Sequence, residues 1–411
     1  MTKGPMQGVR VLEVAQFTFV PSAGAVLADW GAEVIKVEHA KHGDAQRGFA
    51  AYMGAVAGGG NFAPIMEHPN RGKRSLGLAL ETPEGREVLL ELAKQSDVFL
   101  TNFLPDARRR LGIDLADIRA VNPNIIYVRG SGLGQLGEES EKGGYDQATF
   151  WGRGGAAAGV TPPDVDAVLG MPAPAYGDTL GGLIIAGGIS AALFKRQATG
   201  ETSVVDVSLL AVGAYASALS VDLSLMTGQA WRPGPILKGP APPTGNPLIG
   251  FYKTADGRWL MLSMMQPDKY WAEVCERLGR EDLLEDPRFS TPQVMMRNGG
   301  EAVKIVAAEI ASRTLAEWTE RFLTMDGQWA PVLNSVEVGQ DPQVRANHQI
   351  RPVVDIDGTA RELVVNPVLF DESPVQTARG PQHGEHTEDI LRELGVDEAR
   401  LGALRAAGAI R

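Results

Sequence analysis

A chain of 411 residues, 44% of them hydrophobic and 22% charged, has the composition of an ordinary soluble globular protein and the length for two or three domains. A net charge of -11 argues against a nucleic-acid or anionic-membrane partner, which makes local basic clusters informative. The single cysteine, Cys275, excludes an intrachain disulfide and fits a reducing compartment; with no signal-peptide pattern at the N-terminus, the expectation is a cytoplasmic protein. The longest apolar runs, Leu180 to Phe194 and Leu209 to Leu219, are short and rich in Gly, Ala and Ser, and read as buried helices rather than bilayer spans.

The first elements form a β-α-β pattern: VRVLEV, a small-residue helix at about Ser22 to Trp30, then EVIKVE. The turn after the first strand, AQFTFVPSAG, carries no GxGxxG, so a nicotinamide fingerprint is missing where it would stand. Residues 39–70, with AGGGN at 57–61, read as a loop over a site or against a partner chain. RSLGLAL and DVFLTNF are expected strands, separated by a helix that Thr82 caps and Pro83 opens. A short helix near Leu115 to Val121 precedes the strand NIIYVRG. The GLGQLG that begins at Gly132 lacks an apolar helix behind it and reads as an active-site loop, not a dinucleotide site.

From Ser203 a strand runs into one helix, and at Gln229 to Pro247 a Pro/Gly-rich stretch marks a crossing between domains. A hairpin around Ala255-Asp256-Gly257 comes next, then helices at about Pro267 to Leu278, Gly299 to Ser312 and Leu315 to Met325. Strands around Gln328 to Leu333 and Val353 to Leu369 and two short amphipathic helices end the chain. The expected fold class is α/β: a large Rossmann-like domain begun by residues 1–205, a linker helix at 206–228, a smaller α+β domain at 229–325, and a return segment, 326–411, completing the large domain.

Several chemistries lack their motifs. Where a phosphate loop ending in Gly72-Lys73 needs its first glycine, the chain has Glu67, and GxSxG is absent. The HAKH and HGEH segments are not HExxH, and no metal is expected. Two basic clusters remain, Arg71/Lys73/Arg74 and Arg108/Arg109/Arg110. Either they are solvated surface charge, or they hold a polyanionic ligand such as a nucleotide-bearing cofactor. In YGDTLGG, Asp178 suits a helix N-cap, and among small residues it is also open to a bulky electrophile.

The segments VRVLEV, ADWGAEVIKVE, NRGKRSLGLALETPEG, LTNFLPDARRRLGI, GGYDQATFWGRGG, YGDTLGG, GNPLIGFYKTADGRW and GEHTEDILRELG, in that order over nearly the whole chain, resemble the class III coenzyme A transferases, the CaiB/BaiF or formyl-CoA transferase family. The resemblance implies a Rossmann-like large domain, a small domain and a homodimer of interlocked rings with active sites at the interface. It implies coenzyme A and acyl-CoA as substrates, no tightly bound cofactor, and Asp178 as nucleophile; an aspartate of ordinary pKa is ionised at neutral pH and needs no separate base. By the same resemblance Leu78, Ala79, Leu80 and Glu81 flank adenine, and Asn102, Phe103, Leu104 and Arg110 meet the nucleotide or phosphates. Gly143, Gly144, Tyr145 and Asp146 line the thioester end, and Thr18 and His39 also face CoA. The glycines around Asp178 would give room and backbone donors for a thioester oxyanion. The chain departs from the family pattern at Phe19 to Pro21, where AGP is usual, and at NFLPD, where NFRPG is usual. Phe17, Phe19, Phe150 and Trp151, near the expected acyl end, are either core residues or the wall of a pocket for an acyl group larger than formyl or oxalyl. An acyl-CoA racemase of the same fold is the competing reading, but racemases carry GHD where this chain has Gly144, Tyr145 and Asp146, and they need that imidazole for proton transfer.

Overall fold

The computed structural model describes residues 4–49, 62–234 and 245–411. Short β-branched runs build a parallel sheet: β1 (Arg10–Val14), β2 (Glu33–Glu38), β3 (Arg74–Gly77), β4 (Val98–Thr101), β5 (Ile126–Ser131) and β6 (Val204–Ser208), in the spatial order β3-β2-β1-β4-β5-β6. All five pairings are parallel, so the sheet must be covered on both faces, and its strands are accordingly apolar nearly throughout. Alternate residues feed two cores. Val11, Val34, Val98, Leu100, Ile126 and Val128 pack on one face with Val20, Leu27, Ile185 and Ile189. Leu12, Val37, Leu76, Phe99 and Tyr127 pack on the other with Val88, Leu89, Ile390 and Leu401.

Among the helices between and after these strands are α1 (Phe19–Asp29), α2 (Pro64–Asn70), α3 (Pro83–Lys94), α4 (Pro105–Leu111), α5 (Leu115–Val121), α6 (Tyr176–Thr199), α7 (Leu209–Ala216) and α8 (Ala218–Thr227). The α3 start is as expected, with the Thr82 hydroxyl accepting from Gly85 N–H at 3.0 Å. α2 lies inside the stretch expected to be loop, opened by Pro64 at its first turn; the AGGGN segment of that stretch falls outside the described residues. The single helix expected after β6 is two, α7 and α8, bent by 72°. α6, at 24 residues, extends the apolar run Leu180 to Phe194 at both ends; its length and composition would also suit a membrane span, a test that the core helix of a soluble protein passes equally. One side of it lies against α1, so closely that a Cβ on Gly182 would collide with Ser22 and one on Gly181 with Phe19.

The strand order places the turning point of the fold between β1 and β4. From β1 the chain steps outward through β2 to β3, then returns to β4 and steps the other way through β5 to β6. The connections therefore diverge at the carboxyl ends of β1 and β4, leaving a crevice where ligands bind in such sheets.

The chain divides into two compact units, residues 1–160, 169–231 and 342–411 forming one, and 161–168 with 232–341 the other. In the second unit β7 (Ile249–Lys253) and β8 (Trp259–Ser263) form the expected hairpin, and β9 (Trp329–Pro331) adds to it antiparallel. That pairing keeps residues 326–341 in this unit, whereas the sequence expectation had the return beginning at 326. Most of the Pro/Gly-rich crossing, 235–244, lies outside the described residues. Cys275 is buried in this unit's core, where burial pushes its thiol up to about 12.

In the first unit a buried ion pair ties the residue before β3 to α1, and Asn366 ties the returning segment to the same carboxylate. Arg71 donates to Asp29 at 2.6 Å through Nη2, the Asn366 side chain donates to the same carboxylate at 3.0 Å, and Trp30 Nε1 donates to Asn366 Oδ1 at 3.0 Å. Both charged side chains are almost wholly shielded from solvent, so removing one strands the other. Asp29→Ala is predicted to cost about 3–5 kcal/mol of unfolding free energy, read from denaturant midpoints; a variant as stable as the parent would contradict this role.

Candidate active site

A cleft of about 300 Å³ opens at the predicted crevice. Gln16 and Phe17 come from the end of β1, Asn102 to Leu104 from the end of β4, Gly130 and Ser131 from β5, and Leu209 from the residue after β6. Phe19, Ala107, Gly132, the loop Gly143-Gly144-Tyr145, and Asp178 complete the wall. Gly132 and Gly144 meet backbone to backbone, and a Cβ on Gly132 would collide with Gly144; only glycines allow the two loops to close this wall.

Asp178 is not a cap. α6 begins at Tyr176 after Ala175 in a left-handed conformation with φ 55°, which puts Asp178 third in the helix. Burial pushes its carboxyl up to about 7, and the negative charge of Asp146 adds to the effect. Its place in the first turn, at the positive end of the helix dipole, works the other way. The expectation of an aspartate of ordinary pKa is thereby corrected: desolvation holds this carboxyl well above the usual aspartate range.

Asp146 is buried, and its Oδ2 accepts from the Gly177 N–H at 3.1 Å. Burial raises its pKa too, against the pull of the N–H groups of Asp178 and Gly177. The glycines near Asp178 therefore have packing work: Gly177 fits under Asp146 and Phe150, and Gly181 and Gly182 admit α1. The N–H of Gly177 is already taken, so the oxyanion task expected of these glycines does not fall to it.

The expected CoA-facing residues divide. Asn102, Phe103, Leu104, Gly143, Gly144, Tyr145 and Asp178 line the cleft together. Asn102 spends its amide on the scaffold: Gln16 N–H donates to its Oδ1 at 3.0 Å and its Nδ2 donates to Gln16 O at 2.6 Å. Thr18 is buried, its hydroxyl bonded to Gln46 and its carbonyl to Ser22. The side chains of Leu78, Ala79 and Leu80 are core, and the N–H groups of Leu78 and Ala79 are taken by Glu38 O and Ala409 O. At that edge Glu81 and His39 remain, bonded to each other at 2.8 Å.

The two basic clusters are mostly neutralised by burial and pairing. Arg71 pairs with Asp29, Lys73 with Glu13, Arg74 with Glu33 and Glu393, and Arg108 with Asp114, while Arg109 sits between Asp106 and Glu141. Arg110 is exposed on α4, and among the described residues no ion pair holds it. His383 and His386 of the HGEH segment bond to backbone, at His39 O and Ser75 N–H. Gln16, Ser131 and Leu209 belong to no motif; the signal that could have found them is their place at strand carboxyl ends.

Known proteins share the fold and much of the sequence. The family description of CoA-transferase family III matches residues 6–387. The chain is 29% identical over 407 residues to a (R)-2-hydroxy-4-methylpentanoate CoA-transferase of Clostridioides difficile, covering 99% of each chain. It is 33% identical to a succinate–glutarate CoA-transferase of Agrobacterium fabrum, covering 96% of this chain and 97% of the relative. The crystal structure of a CaiB/BaiF family protein from Brucella suis superposes with a TM-score of 0.79 at 25% identity, over 96% of this chain and 100% of the other. With a six-stranded parallel sheet of this kind and a match across nearly its whole length, the chain belongs to CoA-transferase family III.

Proposed function

We propose that this CoA transferase works through Asp178. The carboxylate attacks the thioester carbonyl of a donor acyl-CoA, the C–S bond breaks, and CoA leaves as thiolate from an aspartyl mixed anhydride. The thiolate then attacks the Asp178 carbonyl carbon, releasing the donor acid and leaving Asp178 as a CoA thioester. An acceptor carboxylate repeats the two steps in reverse, and the free Asp178 carboxylate is restored. Thioester energy is retained throughout, so no nucleotide hydrolysis is required.

The observation that carries this reading is the position of Asp178: a partly buried carboxylate lining the cleft at the fold's turning point. Desolvation keeps the carboxyl's pKa high, which makes the ionised form a stronger nucleophile than a solvated aspartate. The racemase reading finds less support, since among the described residues no histidine lines the cleft and Tyr145 holds the position in question. The relatives act on acyl groups as different as a branched hydroxy acid and linear dicarboxylic acids, so the family alone leaves the acyl group open.

A homodimer is part of the proposal. α8 has no buried residue, and Leu219, Leu225 and Met226 stand 88%, 79% and 77% exposed along it. An apolar face of this kind calls for a partner, and a second copy of the chain is the partner the family resemblance implies. Light scattering should give twice the chain mass, and Leu225→Glu with Met226→Glu should shift it toward one chain; a monomeric parent protein would remove the dimer from the proposal.

Asp178→Ala is expected to lower kcat by about 1000-fold or more while leaving the unfolding midpoint within the range of ordinary surface variants. Full transfer by that variant would end the covalent reading. Because only the ionised form attacks and burial holds the group at about 7, kcat/KM should fall about tenfold per pH unit below neutrality and level off above it. A flat profile from pH 5 to 8 would show that Asp178 titrates at the ordinary aspartate value in the working enzyme.

A further inference from the structure

Phe17 is a non-glycine residue with φ 64°, at the lip of the cleft. A left-handed backbone is disfavoured for such a residue because its Cβ crowds the following carbonyl, and surrounding contacts must impose it. They are all present. Lys36 Nζ donates to Ala15 O at 2.9 Å, Asn102 holds both backbone groups of Gln16, and the Phe17 N–H donates to Asp44 Oδ1 at 3.1 Å. Asp44 is itself fixed: it is buried, its Oδ2 lies 2.8 Å from Lys36 Nζ, and its Oδ1 also accepts from the Gln46 N–H at 2.9 Å. The consequence is a fixed backbone beneath the Phe17 ring. Phe17 meets Tyr145 edge to face, with centroids 5.5 Å apart, and the pair forms one wall of the cleft that holds Asp178.

Phe19, Phe103, Leu104 and Leu209 supply further apolar wall, the polar side chains of Gln16, Asn102 and Ser131 in the lining are uncharged, and among the described residues no Lys, Arg or His lines the cleft. A second carboxylate on the acyl group would enter without a cation to pair it and close to two acidic side chains, an arrangement that disfavours buried charge. An aryl or branched alkyl group would instead bury its surface against the aromatic rings of Phe17, Phe19 and Phe103.

We propose that Phe17, locked in its left-handed conformation by Asp44, selects the acyl group, so that the cleft takes branched or aromatic monocarboxylic acyl chains and rejects dicarboxylic ones. Asp44 is then a positioning residue that acts through Phe17. The inference rests on the reading of Asp178 as the acylated group.

The test is isotope exchange between an acyl-CoA and its own labelled acid, which needs no knowledge of the natural acceptor. Full-length protein is assayed with 4-methylpentanoyl-, 3-phenylpropanoyl-, acetyl- and succinyl-CoA. The parent should favour the first two over succinyl-CoA by about 100-fold in kcat/KM, and Phe17→Ala should cut their advantage over acetyl-CoA by about tenfold. Asp44→Asn keeps an acceptor for the Phe17 N–H but loses the Lys36 charge pair; it should move the same ratio in the same direction, mainly through KM. Added to Phe17→Ala it should change the ratio no further, since the two act through one ring. Preference for succinyl-CoA, or an unchanged ratio in Phe17→Ala while exchange proceeds, would overturn the inference and leave the transferase mechanism standing. Exchange with none of the four donors would also overturn the inference, which requires it with the first two. If Asp44→Asn fails to fold, the ratio in Phe17→Ala decides alone.

Discussion

The site depends on how the ends of β1 and β4 are held together. Those strands are neighbours, and from them the chain departs in opposite directions, so nothing in the sheet's own ladder closes the gap beyond their last residues. Asn102 closes it. Its amide binds both backbone groups of Gln16, fixing the turn after β1 to the turn after β4 with the geometry of one more rung. The Lys36 and Asp44 side chains hold the residues on either side of Gln16. A loop that would otherwise be mobile becomes one wall of the cleft.

Against this wall α6 brings Asp178, and the approach is possible because glycines face α1 and Asp146 along the first turns. Packing and reactivity are therefore coupled. The close packing that partly desolvates Asp178 is also what raises its carboxyl to about 7, in a region where the helix dipole alone would lower it. Moving α6 outward, by placing larger residues at Gly181 or Gly182, would solvate the carboxylate as well as loosen the core.

Much of the fold was legible because its signals are local. The alternation of short β-branched runs with helices, the Thr82-Pro83 helix start and the hairpin around Asp256 each arise from neighbouring residues alone. What was not legible is which side chain faces what. Arg71 and Lys73 look like surface charge in the sequence, and only the fold reveals that Asp29 and Glu13 bury and neutralise them. Leu78 to Leu80 stand at a strand end as expected, yet the C-terminal helices cover them. Asp178 was identified through a resemblance, but its local context suggested a cap, and the start of α6 two residues earlier depends on the left-handed Ala175 rather than on any preferred capping residue.

The central claim, that Asp178 exchanges its own oxygen with the substrates, has a direct measurement. In the proposed sequence the acceptor carboxylate attacks the Asp178 thioester, and the thiolate then cleaves the anhydride on the acceptor side, leaving an acceptor oxygen on the enzyme. A single turnover with an oxygen-18-labelled acceptor acid, followed by peptide mass spectrometry, should find one heavy oxygen on the peptide containing Asp178 and none on that containing Asp146. Product formed with no heavy oxygen on Asp178 would contradict the account.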